Sequence, residues 1–536
     1  MATGTGKGMA NRALGFAMLA LGFGYAHADD PANTQQGAVS TQQAQTADSQ
    51  PPVRSWVLIP TLQLSETYTD NLTLAPTNRL SDFISSIMPG FTFRQTGNRT
   101  KATLDYGVQG LFYRNQSQLD HYYSHLDASG TAEIIKKTFF VDAGASVMQQ
   151  PLSFAGAYGA SLSNATGNII NISSSSLSPY LVHRFGEIAT GEVRFTHTIQ
   201  NYSQGGPSTT GNAYLGGLYS STSDSTAASL NGGSAFNNLL WGMNYNDTVI
   251  QYGGMPETRL MNYSANMGYL FTPKFKVILT GGYEKDSYVY IGPQPQSVYW
   301  KAETDWAPTS HTKFMVSVGH RFFGNTRSLT VNQVTRLTTF QASYNEDVTS
   351  TILQQTIPTS SFLDQLLQAQ IPNAAARQQA VQSLIASLGG QALLGQNVVT
   401  NQVYLAKTFN ASMGINLPRS IMILTAFNTK SSSLEPGNAL LPNIANYGAV
   451  NEQGGTASWN WQFSPHLSSH FNASLTSMVF PGQTLNENFK LLNVGLTEQL
   501  ARHLNGDISY RHQTMIAPAY LNYTENAFIA TLNYAN

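Results

Sequence analysis

The sequence predicts an all-β fold, a transmembrane antiparallel β-barrel of about 22 strands with a range of 20–24. Three observations lead to this prediction: few charged residues, long segments in which apolar and polar residues alternate, and connectors that are by turns short and long. The 536 residues include 28 Lys and Arg against 29 Asp and Glu, so that charged residues make up 11% of the chain, where soluble domains have about 25%. Hydrophobic residues make up 41%. This composition suits a wall with one face in lipid and the other in water.

Composition also excludes several classes of protein. The net charge of −1 leaves no basic excess for binding nucleic acid. The chain has no Cys, which excludes disulfides, thiolate metal sites and cysteine nucleophiles. No apolar run approaches the roughly 20 residues of a transmembrane helix, so a helical membrane protein is excluded as well.

The first 28 residues have the features of a secretory signal peptide. Lys7 and Arg12 precede an apolar run that ends in a small-x-small site, and we predict cleavage after Ala28. Residues 29–54 are polar and lack apolar periodicity, which predicts a disordered periplasmic lead-in that is too short for a plug domain. Residues 55–536 then form the predicted outer-membrane barrel.

The predicted strands are recognised by their period of two. After residue 138, for example, Val141, Ala143 and Ala145 fall on one face. Asp142 and Ser146 fall on the opposite face. Alternation continues for 10–14 residues at a time, whereas strands of soluble proteins are commonly about 5–6 residues long. Strands of this length match the height of a membrane barrel wall.

The connectors give the strand count. Ten are short and eleven are long, and these connectors join 22 strands. Residues 327–347 are too many for one strand, so we divide them at Thr335 and Arg336. The last strand, residues 526–536, is amphipathic and rich in aromatic residues, as the barrel-insertion machinery requires of a client protein. Short periplasmic turns and longer outer loops are typical of outer-membrane barrels.

Residues 348–400 interrupt the alternation. Leu363, Leu366 and Leu367 recur at helical spacing, and a second helical pattern begins at Asn373 and ends near Gly389. Three interpretations stay open for these two amphipathic helices: a hairpin on the outer surface, which we slightly favour, a constriction inside the lumen, or a surface that binds a partner or lipid. A 22-stranded barrel encloses a wide lumen that is normally plugged, which supports the second interpretation.

The inward faces of the predicted strands carry charged residues of both signs. They either cross-link a polar wall between neighbouring strands or set the ion and solute preference of a pore. The mixture of signs argues against strong selectivity for anions or cations. These candidate lumen-lining residues are Asp105, Asp127, Glu133, Asp142, Glu192, Arg194, Lys301, Glu303, Asp305, Lys313, Arg321 and Arg511.

No catalytic or metal-binding motif is present. The 11 His residues do not occur in a metal-ligand spacing, and His121 and His125 are four apart where helical spacing has no meaning. Nucleophile-elbow, phosphate-binding and dinucleotide-binding motifs are absent from the sequence. We therefore predict that the protein is not an enzyme and has no catalytic residues, cofactor or metal.

Four short motifs carry a family resemblance: residues 62–74 (LQLSETYTDNLTL), 87–90 (IMPG), 104–106 (LDY) and 343–347 (SYNED). They resemble the proteobacterial outer-membrane β-barrel family associated with the PEP-CTERM/exosortase sorting system and with exopolysaccharide genes. The resemblance implies a barrel in the outer membrane and a role beside exopolysaccharide production, with no catalytic residues to carry over. The chain ends in TLNYAN, without the PEP motif, apolar helix and basic tail of sorted proteins, so the resemblance implies an accessory and not a sorted cargo.

Several functions remain open on the sequence. The leading hypothesis is an accessory or channel in exopolysaccharide export or exosortase-linked surface assembly. The alternative is a general diffusion porin, and lesser alternatives are a TonB-dependent receptor barrel lacking a plug and an outer-membrane enzyme. The expected partners are outer-membrane lipid and lipopolysaccharide, the barrel-insertion machinery, and exopolysaccharide or export components.

Overall fold

The structure, a computed structural model, describes most of the predicted barrel. The described residues are 56–152, 157–206, 218–253, 256–288, 294–353, 359–368, 371, 377, 381, 402–434, 449–480, 486–517 and 522–535. The predicted signal peptide and lead-in, residues 1–54, lie outside them.

The described residues form 22 β-strands and one α-helix. The first eleven strands are β1 (Trp56–Thr69), β2 (Asp82–Thr96), β3 (Thr100–Tyr113), β4 (His121–Ile135), β5 (Phe139–Pro151), β6 (Ile169–Phe185), β7 (Ala189–Gln204), β8 (Ser221–Gly232), β9 (Leu239–Tyr252), β10 (Thr258–Thr272) and β11 (Phe275–Ser287). The others, with the helix, are β12 (Gln296–Thr309), β13 (Thr312–Arg321), β14 (Gly324–Val334), β15 (Thr338–Thr349), α1 (Thr359–Gln368), β16 (Tyr404–Leu417), β17 (Ser420–Ser433), β18 (Ala449–Gln462), β19 (Leu467–Val479), β20 (Asn486–Ala501), β21 (Leu504–Ile516) and β22 (Tyr523–Ala535).

The strands form one closed antiparallel barrel. Each strand pairs with its neighbours in the sequence, and β1 pairs with β22 from Thr61–Ala535 to Thr69–Ala527. Closure leaves no strand edge unpaired, which a lipid environment requires. The prediction of an all-β barrel of about 22 strands is confirmed, including the division of residues 327–347, because β14 ends at Val334 and β15 begins at Thr338.

The two rims of the barrel differ in their connectors. β1 begins and β22 ends at the same rim, where the ten connectors have 2–6 residues. Connectors at the opposite rim run to 54 residues, between β15 and β16. We call the first the periplasmic rim and the second the outer rim, following the asymmetry of outer-membrane barrels.

One predicted turn lies two residues away from its true place. We expected the connector between β12 and β13 at Pro308 and Thr309, but pairing continues to Thr309–Thr312 and the turn falls on residues 310–311. An irregularity in the ladder between Trp306 and Thr309 accommodates the proline, which has no N–H to donate to a regular ladder.

The outer face of the wall is apolar. Val298, Leu279 and Ile508 are 74%, 61% and 71% exposed on this face, and Trp459 stacks on Trp461 near the periplasmic rim with ring centroids 5.4 Å apart. A closed barrel with an apolar outer face and aromatic residues at its rim is the architecture of outer-membrane proteins. Within the described residues, α1 is too short and too polar to count as a membrane-spanning helix.

Candidate functional site in the lumen

The helix α1 lies inside the barrel, against its inner wall. Leu363, Leu366 and Leu367 are fully buried in a cluster with Ile423 of β17. Position 414 of β16 faces the same helix, since a Cβ added to Gly414 would lie 3.2 Å from Leu366 Cγ. Glycine therefore lets the helix approach the wall closely. Gly414 and Ile423 alternate with outward-facing residues of their strands, and they lie near the periplasmic rim.

Charged contacts fix the far side of the helix. Arg377 Nε lies 2.7 Å from Asp364 Oδ1 on α1, and Arg377 Nη1 donates to the carbonyl of Ile371 at 3.0 Å. Asp364 also interacts electrostatically with Arg94 on β2. Because β2 and β17 are seven strands apart around the closed wall, α1 projects from β16 and β17 into the periplasmic half of the lumen.

The structure therefore contradicts the interpretation that we slightly favoured from the sequence, a hairpin on the outer surface. The apolar stripe of α1 packs against Ile421 and Ile423, two apolar side chains of the inner wall, and is buried there. The first predicted helix is present as α1. The second, with its expected start at Asn373 and end at Gly389, lies outside the described residues except for Arg377 and Val381.

The insertion also approaches the wall at the opposite side of the outer half. Thr351 follows β15, and its hydroxyl hydrogen-bonds with Tyr202 on β7. Tyr202 also donates to Gln200 Oε1 at 2.8 Å. The strands β7 and β15 are eight positions apart in the barrel, so this contact crosses the lumen.

The described residues 157–168 of a second connector, between β5 and β6, lie inside the outer half of the barrel. Its Tyr158 packs in an apolar cluster with Phe489 of β20, the ring centroids being 5.4 Å apart. Burial raises the pKa of the Tyr158 hydroxyl well above its ordinary value, and the carboxyl groups of Glu452 and Glu487 raise it further. The hydroxyl therefore stays neutral.

Polar contacts anchor the same connector to β21 and β22. The N–H of Ala160 donates to Gln513 Oε1 at 2.9 Å, and Asn164 Nδ2 donates to Glu525 Oε1 at 3.3 Å. Glu525 also pairs with Arg511 at 2.8 Å. All these side chains are buried. Arg511, a predicted lumen-lining residue, thus supports the connector and does not border open water.

Asp142, Glu192 and Arg194, three other predicted residues, form a network on β5 and β7. Arg194 Nη1 lies 2.7 Å from Asp142 Oδ2, and its Nε lies 3.0 Å from Glu192 Oε1. The guanidinium carbon lies 3.7 Å from the ring centroid of Tyr180 on β6. One cation thus balances two carboxylates and stacks on an aromatic face.

Another network joins β11, β12 and β13 near the periplasmic rim. Asp305 lies between two cations, 3.2 Å from Lys276 Nζ and 3.4 Å from Lys313 Nζ. Lys301 pairs with Glu303 at 3.0 Å. Glu303 and Asp305 are both buried by their partners. Asp305 therefore cross-links β12 to β11 and β13, whereas Lys301 and Glu303 pair within β12.

Arg321 connects three strands near the outer rim. Its guanidinium lies 2.9 Å from Glu284 of β11 and 2.7 Å from Asp347 of β15. The N–H of Phe322 donates to the same Glu284 carboxylate at 3.1 Å. This network ties the short hairpin of β13 and β14 to the taller strands on either side.

The remaining predicted residues lie on β3 and β4. Asp105 and Asp127 are direct neighbours in the register, and Asp105 accepts a 2.5 Å hydrogen bond from the Thr92 hydroxyl. Glu133 accepts a hydrogen bond from the N–H of Lys137 in the adjoining turn. Other members of the lumen networks were not predicted, although each stands at an inward position of its strand's period of two. They are Arg94, Lys276, Glu284, Asp347, Gln513 and Glu525.

Among the described residues, no group of three or more His, Asp or Glu side chains is arranged to hold a metal ion. The geometry instead provides a lumen with polar and charged walls, narrowed by α1 in its periplasmic half and by residues 157–168 in its outer half. Such an arrangement would limit the size of a solute in the lumen, and its paired charges would limit preference for either sign.

No protein-family model and no curated protein sequence matches this chain. Among solved structures, the chain is similar to the FrpB iron transporter from Neisseria meningitidis, with 9% identity and a TM-score of 0.48 over 89% of this chain and 82% of that one. It is also similar to the siderophore receptor PirA from Acinetobacter baumannii, with 9% identity and a TM-score of 0.44 over 89% of this chain and 80% of that one. The strand order gives the fold independently of these similarities.

Proposed function

We propose that this chain is an outer-membrane diffusion channel for small hydrophilic solutes, with a lumen constricted by its own connectors. The observation that carries the proposal is the burial of Leu363, Leu366 and Leu367 on the inner wall. A channel of this width needs an internal obstruction to act as a size filter. The polar inner wall favours water-soluble cargo.

The constriction favours small solutes over a polymer. A helix inside the periplasmic half, with Leu363 and Leu366 packed on the inner wall, obstructs a path that a polysaccharide chain requires to be open. The general diffusion porin is therefore the function best supported by the geometry. The link with exopolysaccharide export and exosortase-dependent assembly stays a prediction from the family resemblance.

Planar-bilayer recordings test the channel and its constriction together. Leu366→Asp places a carboxylate in the apolar contact between α1 and the wall, so the helix detaches and single-channel conductance rises. Gln368→Asp adds the same charge to the same helix at an exposed position and leaves conductance unchanged. Failure of the folded wild type and of both folded variants to conduct would disprove the proposal.

A further inference from the structure

A row of charged side chains crosses the outer face of four neighbouring strands. Glu346 of β15 is opposite Lys407 of β16, which is opposite Lys430 of β17. Arg327 of β14 continues the row, two residues beyond the last pair between β14 and β15. Arg327 of β14 is directly opposite Val318 of β13 in the register. Val318 is 47% exposed on the apolar outer face. The row therefore faces the membrane side of the wall and not the lumen.

The row has more positive than negative charge. Lys407 Nζ lies 3.5 Å from Glu346 Oε1, and the Tyr344 hydroxyl donates to the same carboxylate. Arg327 and Lys430 are exposed and form no ion pair with any residue that the structure describes. Three cations against one carboxylate leave two positive charges on a face that is otherwise directed at lipid.

The height of the row corresponds to the lipid headgroups of the outer leaflet. Lys407 lies ten residues from Leu417, the periplasmic end of β16. With a rise of ~3.4 Å per residue and a strand tilt of ~40°, this places Lys407 about 26 Å above that end. The apolar band of such barrels is ~25 Å tall, so Lys407 stands at its outer border.

Below the charges, small side chains make a shallow furrow. Ala342, Ala411, Ala426 and Gly455 are direct neighbours in the register of β15–β18. Lys407 stands four residues above Ala411 on the same face. Phe409 lies between them, 37% exposed. An anionic headgroup bound by the row would have its acyl chains over this furrow.

We propose that Arg327, Lys407 and Lys430 bind the phosphate groups of a phosphorylated glycolipid of the outer leaflet, with its acyl chains passing over the furrow. Arginine suits phosphate because its fork of N–H donors matches the oxygens, and lysine contributes a compact charge. The commitment to a lipid, and not to a free anion, follows from the position of the row at the border of the apolar belt.

Native mass spectrometry of the full chain in detergent tests the site. The probes are the bisphosphorylated glycolipid core of lipopolysaccharide and the same glycolipid without phosphates. The wild type binds the phosphorylated form preferentially. The variant R327A/K407A/K430A binds it about 100-fold more weakly, whereas Glu346→Gln binds it about fivefold more tightly because a competing carboxylate is gone.

A matched control removes three charges at the other end. K136A/K137A/K274A changes periplasmic turns and leaves glycolipid binding unaltered, while heat-modifiable migration on a gel verifies that each variant is a folded barrel. Equal binding of the two glycolipids, or an equal loss in the control variant, would overturn the proposal. Displacement of the glycolipid by millimolar inorganic phosphate would likewise overturn it, by identifying a free-anion site.

Discussion

Small side chains decide where chain segments come close in this barrel. Gly414 allows Leu366 of α1 to lie against the inner wall. Whether a side chain of a strand faces the lumen or the lipid is set by the strand's period of two, which can be read directly from the sequence. Ala143, for example, pairs with Leu177, which is 50% exposed on the outer face. Ser146 pairs with Asp127 of the inner face.

The two faces differ in their tolerance of charge. Ala143→Arg places a guanidinium in the lipid-facing band and is expected to lower the free energy of unfolding by ~2–4 kcal/mol, if position 143 is near the bilayer midplane. Ser146→Arg adds the same side chain to the polar inner face and changes stability much less. Urea titration of both variants in lipid vesicles measures the difference. Equal losses would contradict the orientation of β5.

Arg194 balances two carboxylates, which makes it a sensitive position for ion preference. Arg194→Met leaves Asp142 and Glu192 without their cation, so the lumen becomes more negative locally. We expect the reversal potential in a KCl gradient to shift toward cation preference. Arg194→Lys retains the positive charge, so it changes the reversal potential little. An unchanged reversal potential in Arg194→Met would show that these carboxylates do not border the conducting path.

Elements of secondary structure were predictable to different degrees. Alternation and turn residues were sufficient to divide β14 from β15 correctly, because each face of a strand has its own solvent. The position of α1 could not be predicted from its apolar stripe. Such a stripe shows that one face of the helix must be buried, but it does not show which surface buries that face. The available signal was in β17, where Ile421 and Ile423 are apolar residues at inward positions near the periplasmic rim.

The contact between α1 and β16 permits a reversible test of how the element moves. The added Cβ at Gly414 lies 3.2 Å from Leu366 Cγ, so Leu366→Cys with Gly414→Cys places two cysteines next to each other. A disulfide between them requires a Cβ separation of ~3.5–4.5 Å. Under oxidation the helix is tethered, and brief high-conductance openings disappear. Reduction restores them.

The natural chain contains no Cys, so the wild type and the two single-cysteine variants are clean controls for the oxidant and the reductant. Openings that persist in the fully cross-linked protein would mean that α1 is not the moving element.

At the scale of the whole molecule, the wall and its contents are separate structures. The hydrogen-bonded ladder closes through nine pairs between β1 and β22 and does not use the connectors. Membrane barrels satisfy their backbone groups within the wall. The fold could therefore be predicted from composition, alternation and the lengths of the connectors. The side-chain networks beneath the connectors, such as Arg511 with Glu525, depend on contacts between distant parts of the chain, so they could not be predicted from the sequence.

Deletion of residues 355–396 tests this separation of wall and contents. The deletion removes α1 and leaves β15 and β16, which pair from Thr338–Ile415 to Thr349–Tyr404. The shortened barrel is expected to insert and to keep its heat-modifiable migration, because its ladder is complete. Conductance in planar bilayers rises and gating weakens, since the periplasmic half of the lumen loses its obstruction. Uptake of antibiotics through the outer membrane rises in parallel.

The deletion also exposes Ile421 and Ile423 to the water of the lumen, which destabilises the wall modestly but does not open it. Residues 157–168 remain in the outer half and keep some restriction, so conductance stays below that of an empty 22-stranded barrel. A deletion variant that folds and inserts but conducts like the wild type would exclude α1 as the constriction. The connector anchored by Gln513 and Glu525 would then be the remaining barrier.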